Sequence, residues 1–356
     1  MIERVLAIET SCDDTSVAIV NRQGEVLSLV SASQDLEHEP YGGIVPEIAS
    51  RNHSIALIPL IEEALKKAHL KWSDIQGLAV TNRPGLVGAL IVGLMTAKTL
   101  AQAKNLPLIG VNHLEGHLLA PFLRDAQQKP PEEFDYPYVG LAISGGHTSL
   151  YYIQGLGDYQ ILGTTRDDAA GEAFDKFAKM AGLGFPGGVK VDQLSQKGNA
   201  KAFEFPRSMI HEDHFDMSFS GLKSAAQRVL EKMSSEEIEK NLPDLCASFQ
   251  EAVVDVLLAK LERAARFYKS QRVILTGGVS ANSRLRTRAV ELAQKKRWTL
   301  VIPPIRYCTD NAAMIGYVGV LKLNQGQRSD LNLGPSPSSW DGDFKFASRV
   351  TKTEAK

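Results

Sequence analysis

The chain has 356 residues, a formal net charge of −1 at pH 7, 44% hydrophobic residues and 23% charged residues, which is typical of a globular protein long enough for two domains. The near-neutral charge excludes binding to nucleic acid by bulk attraction to phosphate, so RNA would need a local basic patch or a partner's surface. Three widely spaced cysteines, Cys12, Cys246 and Cys308, exclude a disulfide framework and a CxxC site and indicate a reducing compartment.

Neither export nor membrane insertion is indicated by the apolar segments. Charge begins at Glu3, and the apolar stretch 5–8 is too short for the central region of a signal peptide. The longest apolar run, 85–97, is shorter than the roughly 20 residues of a membrane helix and ends at Lys98. We therefore expect a cytoplasmic protein without a membrane partner.

The first half opens with three short apolar segments, at 5–9, 16–20 and 25–30, separated by a polar loop and a glycine turn. They predict three consecutive antiparallel strands. The following patterns predict a helix at about 46–69, a strand at 77–81, a helix at 88–104 and a strand at 106–111.

The second half repeats this order with strands at 138–143, 149–153 and 159–162. After this triplet, we expect helices at about 171–181, 244–268 and 283–297, and strands at 272–276 and 299–302. An antiparallel start followed by alternating strands and helices predicts a mixed sheet covered by helices in each half. The predicted fold class is α/β, with two duplicated lobes and a cleft between them.

Composition shifts give the expected domain limits. The first lobe is predicted at 1–125, a polar, proline-bearing connector at 126–137, and the second lobe at 138–309. A last helix, at about 311–323 within the segment 310–330, is expected to pack back on the first lobe. The tail 331–356, rich in Ser, Pro and Gly, is expected to be irregular.

Two loops occupy equivalent places in the two halves. The loop 9–15 is acidic and rich in hydroxyl groups, and the loop 144–148 reads Ser-Gly-Gly-His-Thr. Each alone is typical of a hairpin turn, but their equivalence favours one cleft in which backbone N–H groups bind phosphate. A third glycine cluster, 275–282, fits either a nucleotide contact or a strand-to-helix turn with Asn282 as the N-cap.

A histidine pair directly follows a predicted buried strand. His113 and His117 are four residues apart, so they share a helical face and can bind one metal ion. Packing and capping are the alternative roles. Asp310 can supply a carboxylate if the last helix returns to the first lobe, although Asp is also common at helix starts. The HExxH motif of zinc peptidases requires a glutamate directly after the first histidine. Here Glu115 lies two residues after His113, which disfavours a metallopeptidase.

Two weaker patterns lie in the second half. Asp175 and Asp192 flank a glycine turn and could bind ribose hydroxyls, although acids near helix starts usually complement the helix dipole. One predicted helix is strongly basic, which fits a solvated face or a contact with an RNA backbone. Its basic residues are Arg284, Arg286, Arg288, Lys295, Lys296 and Arg297.

Eight motifs, in order between about residues 4 and 335, closely resemble those of the TsaD family, the tRNA adenosine threonylcarbamoyltransferases. They lie at 8–13, 45–51, 113–117, 144–147, 170–175, 219–223, 277–282 and 308–311. The resemblance implies the fold of actin, sugar kinases and heat-shock chaperones. It also implies transfer of threonylcarbamoyl from threonylcarbamoyl-adenylate to the exocyclic amine of the adenosine 3′ of the anticodon, in tRNAs that read ANN codons.

The resemblance further implies roles for individual residues. His113, His117 and Asp310 match the metal ligands, with iron(II) expected and zinc as the alternative. Asp13 matches an acidic position near the reacting group and is a candidate base for the amine proton. The substrate-binding positions match Ala142, Ile143, Ser144, Gly145, Gly146, Asp175, Gly188, Asp192 and Asn282.

The resemblance implies two helper proteins besides the tRNA: a TsaB-type paralogue that dimerises with the first lobe, and a small TsaE-type ATPase. Three positions depart from the family pattern: Arg83 for a usual Gly, Asp14 for Glu, and Val189 for Pro. Because glycine lets a backbone approach its neighbours closely, Arg83 puts such an approach at this loop in question. The main alternative function is an ATPase or kinase of the same fold; a scaffold that only binds nucleotide would leave the metal ligands without a purpose.

Overall fold

The computed structural model describes residues 1–338 and 344–347. Its strands are Arg4–Glu9 (β1), Thr15–Asn21 (β2), Val26–Ala32 (β3), Gly77–Arg83 (β4), Leu108–Asn112 (β5), Tyr138–Ile143 (β6), Thr148–Gly155 (β7), Asp158–Thr164 (β8), Arg272–Thr276 (β9), Thr299–Val301 (β10) and Phe344–Phe346 (β11). Its helices are Asp35–His38 (α1), Pro46–Lys67 (α2), Val87–Lys104 (α3), His113–Leu119 (α4), Ala170–Met180 (α5), Gly187–Ser195 (α6), Ser220–Leu230 (α7), Ser235–Phe267 (α8), Ser283–Lys296 (α9), Ile305–Cys308 (α10) and Ala312–Asn324 (α11). None of the helices in these residues has the length and apolar character needed to cross a membrane.

The first compact unit comprises residues 1–131 and 303–338. Its sheet has the order β3-β2-β1-β4-β5, with β1 antiparallel to β2 and parallel to β4. Successive side chains of a strand face opposite sides. Leu6 and Ile8 therefore pack with α2 and α3, whereas Ala7 faces α11, where Gly316 allows close contact. Helices thus cover both faces of the sheet.

The second unit contains residues 132–302 and the described part of the tail, 344–347. Its sheet has the order β10-β9-β6-β7-β8-β11, in which β6 is antiparallel to β7 and parallel to β9. Without β11, this arrangement repeats that of the first sheet. The buried rings of Phe177 on α5 and Phe249 on α8 stack with centroids 4.2 Å apart. The predicted α/β class with two duplicated mixed sheets is confirmed.

Three features differ from the sequence predictions. The helix expected from about 244 begins at Ser235, because Ser234 and Glu237 form a reciprocal capping box and the helix continues through Pro243. The helices α6 and α7 and the short helices α1 and α10 were not predicted. The tail, expected to be irregular, contains β11, which pairs in parallel with β8 and buries Phe344 against Tyr159.

Candidate functional site

The carboxyl ends of β1, β4 and β5 lie side by side in the first unit, because these strands are parallel neighbours. Glu9 ends β1, and His113 directly follows β5 as the first residue of α4. The helix α11 packs against β1, β2 and β4 of the same sheet. The segment that precedes α11 therefore brings Asp310 to these strand ends, although it is far from the histidines in sequence.

Two imidazoles and one carboxylate converge there. His113 Nε2 and His117 Nε2 each lie 3.2 Å from Oδ1 of Asp310, and one ligand atom from each residue lies within 4.8 Å of the other two. The histidines are only 6% and 1% exposed, whereas the Asp310 side chain is 27% exposed. Nitrogen and carboxylate donors in this arrangement suit a divalent transition metal, and three protein ligands leave coordination positions open.

The charges in this cluster depend on one another. Burial alone would lower the pKa of His113, but Asp310 and Glu9 outweigh burial and raise it well above its usual range. Burial opposes the charge of Asp310, yet His113 and His117 hold the pKa of that carboxyl well below its usual range. Burial prevails at His117 and lowers its pKa. A metal ion would take the place of the proton on Nε2 of His113, the nitrogen that faces Asp310.

Glu9 was not predicted as a site residue, yet it is fully buried beside this cluster. Its Oε1 accepts the Ser11 N–H at 2.6 Å, and its Oε2 accepts the Thr81 hydroxyl at 2.5 Å. The same Oε2 lies 3.0 Å from His113 Nδ1. The only sequence signal for this role was its position at the end of the first strand, in the motif 8–13.

The helix α4, which contains both histidines, and the helix α11, which follows Asp310, are joined by a buried ion pair. Lys322 Nζ on α11 lies 2.6 Å from Oε2 of Glu115 on α4, with side chains 6% and 0% exposed. A Cβ at Gly116 would lie 2.9 Å from the Met314 side chain, so only glycine allows the observed contact between the helices. The spacing between the histidines and Asp310 therefore depends on this packing.

The acidic loop of the first unit lies between β1 and β2. Burial, with help from Asp13 and Asp310, raises the pKa of Asp14 to about 7, and burial also raises the pKa of Asp13. The loop is held by His53 of α2, whose Nε2 lies 3.0 Å from the Cys12 carbonyl oxygen. The Asp14 carboxyl group is thus suited to exchange protons near neutral pH, and Asp13 shifts in the same direction.

The departure at Arg83 leaves the packing of this loop intact. Arg83 lies opposite Asn112 in the β4–β5 register. A Cβ at Gly85 would lie 2.5 Å from the Ser11 carbonyl oxygen, which accepts the Leu86 N–H at 2.8 Å. The close backbone approach is therefore made at Gly85 rather than at position 83.

Glycine loops meet at the carboxyl ends of β6 and β9 in the second unit. Gly277 has φ 86°, and a Cβ there would collide with the backbone of Ile143. A Cβ at Gly171 would lie 2.7 Å from the Ser144 carbonyl oxygen. Gly145 and Gly146 are exposed, and their N–H groups have no partner among the residues that the structure describes. Such N–H groups can bind an anion.

The structure places Ala142 and Ile143 in β6 with buried side chains, so a ligand could reach only their backbone. The acids and the amide predicted to bind substrate have partners within the unit. Asp175 Oδ1 accepts the N–H of Gly187 at 2.9 Å and of Gly188 at 3.3 Å. These bonds satisfy the start of α6.

Asp192 and Asn282 meet at the start of α9. Asp192 accepts the hydroxyl of Ser283 at 2.7 Å and its N–H at 3.1 Å. Asn282 accepts the Leu285 N–H at 3.0 Å and donates to Gln250 at 2.6 Å. The helix-start role of Asn282 is confirmed, and the contacts of these residues with substrate stay predictions.

The basic helix α9 is largely paired within the second unit. Arg284 binds Glu251 at 2.6 Å, Arg288 binds Asp255 at 3.0 Å, and Lys296 lies 2.5 Å from Glu262. These ion pairs neutralise much of the charge that the sequence concentrates there. The contact of this helix with a tRNA backbone stays a prediction.

The sequence profile of the TsaD family, described as tRNA N6-adenosine threonylcarbamoyltransferase, matches residues 25–317. A protein of that description from Bdellovibrio bacteriovorus is 76% identical over 345 residues, which are 97% of this chain and 100% of the relative. Another, from Anaeromyxobacter dehalogenans, is 50% identical over 336 residues, 94% of this chain and 98% of the relative.

Two solved structures resemble the chain in fold. Full-length HypF in its phosphate- and nucleotide-bound form has a TM-score of 0.59 at 13% identity, over 91% of this chain and 55% of HypF. Component A of the (R)-2-hydroxyglutaryl-CoA dehydratase of Acidaminococcus fermentans has a TM-score of 0.52 at 15% identity, over 90% of this chain and 99% of that protein. At these identities the likeness concerns the fold alone, and the predicted actin-like class is confirmed.

Proposed function

The chain belongs to the TsaD family of tRNA N6-adenosine threonylcarbamoyltransferases, and we propose how its residues carry out the transfer of threonylcarbamoyl to adenosine in tRNA. The proposed donor is threonylcarbamoyl-adenylate. The proposed acceptor is the exocyclic amine of the adenosine 3′ of the anticodon in tRNAs that read ANN codons. The open N–H groups of Gly145 and Gly146 support an adenylate donor, because they suit a phosphate.

One divalent metal ion is proposed to bind His113, His117 and Asp310. The convergence of the three ligand atoms within 4.8 Å is the observation that carries this proposal. Two imidazoles with one carboxylate suit iron(II), which we expect, and also zinc. When bound, the ion would supply Lewis-acid polarisation of the donor's oxygen.

The transfer requires that adenosine N6 attack the carbonyl carbon of the mixed anhydride. A C–N bond forms, the C–O bond to AMP breaks, and the amine loses a proton. Asp13 is the proposed acceptor of that proton, because burial raises the pKa of its carboxyl group. The backbone N–H groups of Gly145 and Gly146 would stabilise negative charge on the departing AMP. Asp175, Gly188, Asp192 and Asn282 are the further positions proposed to bind the donor.

Transfer from labelled threonylcarbamoyl-adenylate to tRNA tests the proposal, with wild type and His113→Ala compared in the presence and absence of the helper proteins. We expect transfer by wild type and its loss in the variant. Undiminished transfer by His113→Ala would contradict the metal site. Robust ATP turnover without tRNA, together with no transfer, would favour the ATPase or kinase alternative.

Asp13→Ala and Asp14→Ala form a matched pair, because the two carboxyl groups are neighbours in one loop. We expect Asp13→Ala to lower the rate by about 100-fold, the scale of general base catalysis, and Asp14→Ala to lower it less. Undiminished transfer by Asp13→Ala would remove Asp13 from the mechanism.

A TsaB-type paralogue is proposed to bind the first unit. The adjacent helices α2 and α3 expose five large apolar side chains, which are between 44% and 68% exposed and include three on α3 at intervals of four residues. Contiguous exposed apolar side chains are typical of protein interfaces. They are Ile55, Ile58, Val87, Ile91 and Met95.

Met95→Glu should abolish copurification of the paralogue and leave the thermal stability of the isolated chain unchanged, because Met95 is half exposed. Copurification at wild-type yield would exclude this surface. A small TsaE-type ATPase is the second proposed helper, from the family resemblance alone. We propose a cytoplasmic location, where the tRNA substrate is found.

A further inference from the structure

The fully buried carboxylate of Glu9 lies on the opposite side of the His113 ring from Asp310. Glu9 Oε2 is 3.0 Å from Nδ1 of His113, and Asp310 Oδ1 is 3.2 Å from Nε2. The two nitrogens of an imidazole have distinct roles, and the partner of one determines what the other can bind. Glu9 is therefore placed to orient the ring without touching the metal.

The surroundings of Glu9 hold the carboxylate in this position. Its Oε1 accepts the Ser11 N–H at 2.6 Å, and its Oε2 also accepts the Thr81 hydroxyl at 2.5 Å. Ser11 contributes a second contact, since its hydroxyl lies 3.2 Å from the same Nδ1 of His113. Within residues 1–338 and 344–347, the only ion pair described for Glu9 is with His113. A buried carboxylate requires such a partner, because an unpaired buried charge is costly.

We propose that Glu9 is a positioning residue: it accepts the Nδ1–H of His113, so that Nε2 carries the lone pair that binds the metal. This inference deepens the proposed function, because it rests on the metal site formed by His113, His117 and Asp310. Glu9 is 0% exposed and lies behind the imidazole, so it contacts neither substrate nor the open side of the site. A carboxylate behind a metal-binding histidine also makes that ligand more basic.

The test compares the binding of Zn²⁺ alone by wild type and Glu9→Gln, measured on the full chain by competition with a chelator. We expect the affinity to fall by about 10- to 100-fold, the usual cost of removing such a partner. The side-chain amide of glutamine has about the volume of the Glu9 carboxylate, but it carries no charge and therefore attracts the Nδ1–H of His113 less. Co²⁺ as a second probe should give an altered visible absorption spectrum in the variant, which a general loss of stability would not produce.

Two controls separate positioning from stability. Ile8→Val shortens the neighbouring buried side chain of β1, so it lowers stability without altering the contacts of Glu9 and should bind Zn²⁺ as wild type does. His117→Ala should abolish tight binding. In the Zn²⁺-loaded wild type, nitrogen-resolved NMR should show His113 protonated at Nδ1 and bound through Nε2.

The outcomes are distinct. Equal Zn²⁺ affinity and equal Co²⁺ spectra for Glu9→Gln and wild type would overturn the role of Glu9 and leave the metal site standing. Zn²⁺ bound through Nδ1 of His113 would overturn it as well. Failure of wild type to bind either metal would overturn the metal site and, with it, the role of Glu9. The transfer assay with tRNA would then decide whether the proposed function itself stands.

Discussion

The strand ends of the two units are built from the same sheet arrangement but present opposite chemistry. In the first unit, side-chain nitrogen and oxygen atoms of His113, His117 and Asp310 converge on one another. In the second unit, the exposed groups are backbone N–H donors of Gly145 and Gly146. The carboxylates of the second unit are engaged: Asp175 and Asp192 accept hydrogen bonds at helix starts.

One duplicated scaffold can thus serve a cation in one unit and an anion in the other. The Nε2 atoms of His113 and His117 share one carboxylate oxygen of Asp310, and a metal ion satisfies two such nitrogens better than one carboxylate does. Backbone N–H groups at a glycine turn are better satisfied by phosphate. A carboxylate that already accepts N–H bonds has a structural role whether or not it also meets a ligand.

The largest expected effect concerns the buried ion pair that holds the metal-binding elements of the first unit together. Lys322→Met leaves Glu115, which is 0% exposed, without this cation and should lower the free energy of unfolding by about 3 to 5 kcal/mol. Urea unfolding measures the loss. Replacing both residues, as Glu115→Leu with Lys322→Met, should restore most of it, because no charge is then left buried.

Lys67→Met is the control for this prediction. Lys67 forms an exposed pair with Glu63 on α2, with side chains 54% and 46% exposed, so its loss should change stability by less than about 0.5 kcal/mol. Equal effects of the two lysine substitutions would show that burial of the Lys322 pair contributes nothing.

A second prediction concerns the metal-binding carboxylate. Asp310→Ala should lower transfer by at least about 100-fold, or about 2.7 kcal/mol in the activation free energy, because two imidazoles alone bind a divalent ion weakly. Transfer kinetics and Zn²⁺ titration should fall together. Asp330→Ala, at an exposed position beyond α11, should change neither. Full activity of Asp310→Ala would show that transfer does not require a metal ion bound by Asp310 in the first unit.

A third prediction uses a buried lysine of the second unit. Lys260 donates to the carbonyl oxygens of His214 at 2.7 Å and Glu212 at 3.3 Å, and burial, with Arg263, lowers its pKa to about 8. The folded state thus binds fewer protons than the unfolded state between about pH 8 and pH 10.4. Stability should rise with pH in that window.

The expected gain over the window is on the order of 2 kcal/mol, measured by urea unfolding relative to Lys260→Met, in which it should be absent. Identical pH profiles for the two proteins would show that Lys260 keeps an ordinary pKa. The two buried lysines differ in their partners, because Lys322 pairs with a buried carboxylate whereas Lys260 donates to carbonyl oxygens.

The smallest expected effect is at the helix start bound by Asp192. Asp192→Ala removes two hydrogen bonds to Ser283 and should cost about 1 kcal/mol of stability, as the loss of a helix cap does. If Asp192 also binds the donor, the KM for threonylcarbamoyl-adenylate should rise at temperatures where the variant remains folded. An unchanged KM would leave Asp192 with a structural role only.

Much of the fold could be predicted because it depends on local patterns. Short apolar segments separated by polar loops and glycine turns predicted both strand triplets, and the spacing of His113 and His117 predicted their shared face. The early start of α8 could not be read from the same patterns, because Pro243 interrupts them and the capping box at Ser234 and Glu237 outweighs that interruption. The strand β11 was missed because its pairing with β8 involves residues far apart in the chain.

The two strand triplets, the glycine loops and the histidine pair could be predicted from the amino-acid sequence, since each depends on residues close together in the chain. Three contacts became apparent only in the folded chain: Asp310 meets the histidines, Glu9 lies behind His113, and Lys322 pairs with Glu115. Those contacts span 193, 104 and 207 positions. They arise from the order of the strands in the sheet and the packing of α11 against it, which no local period encodes.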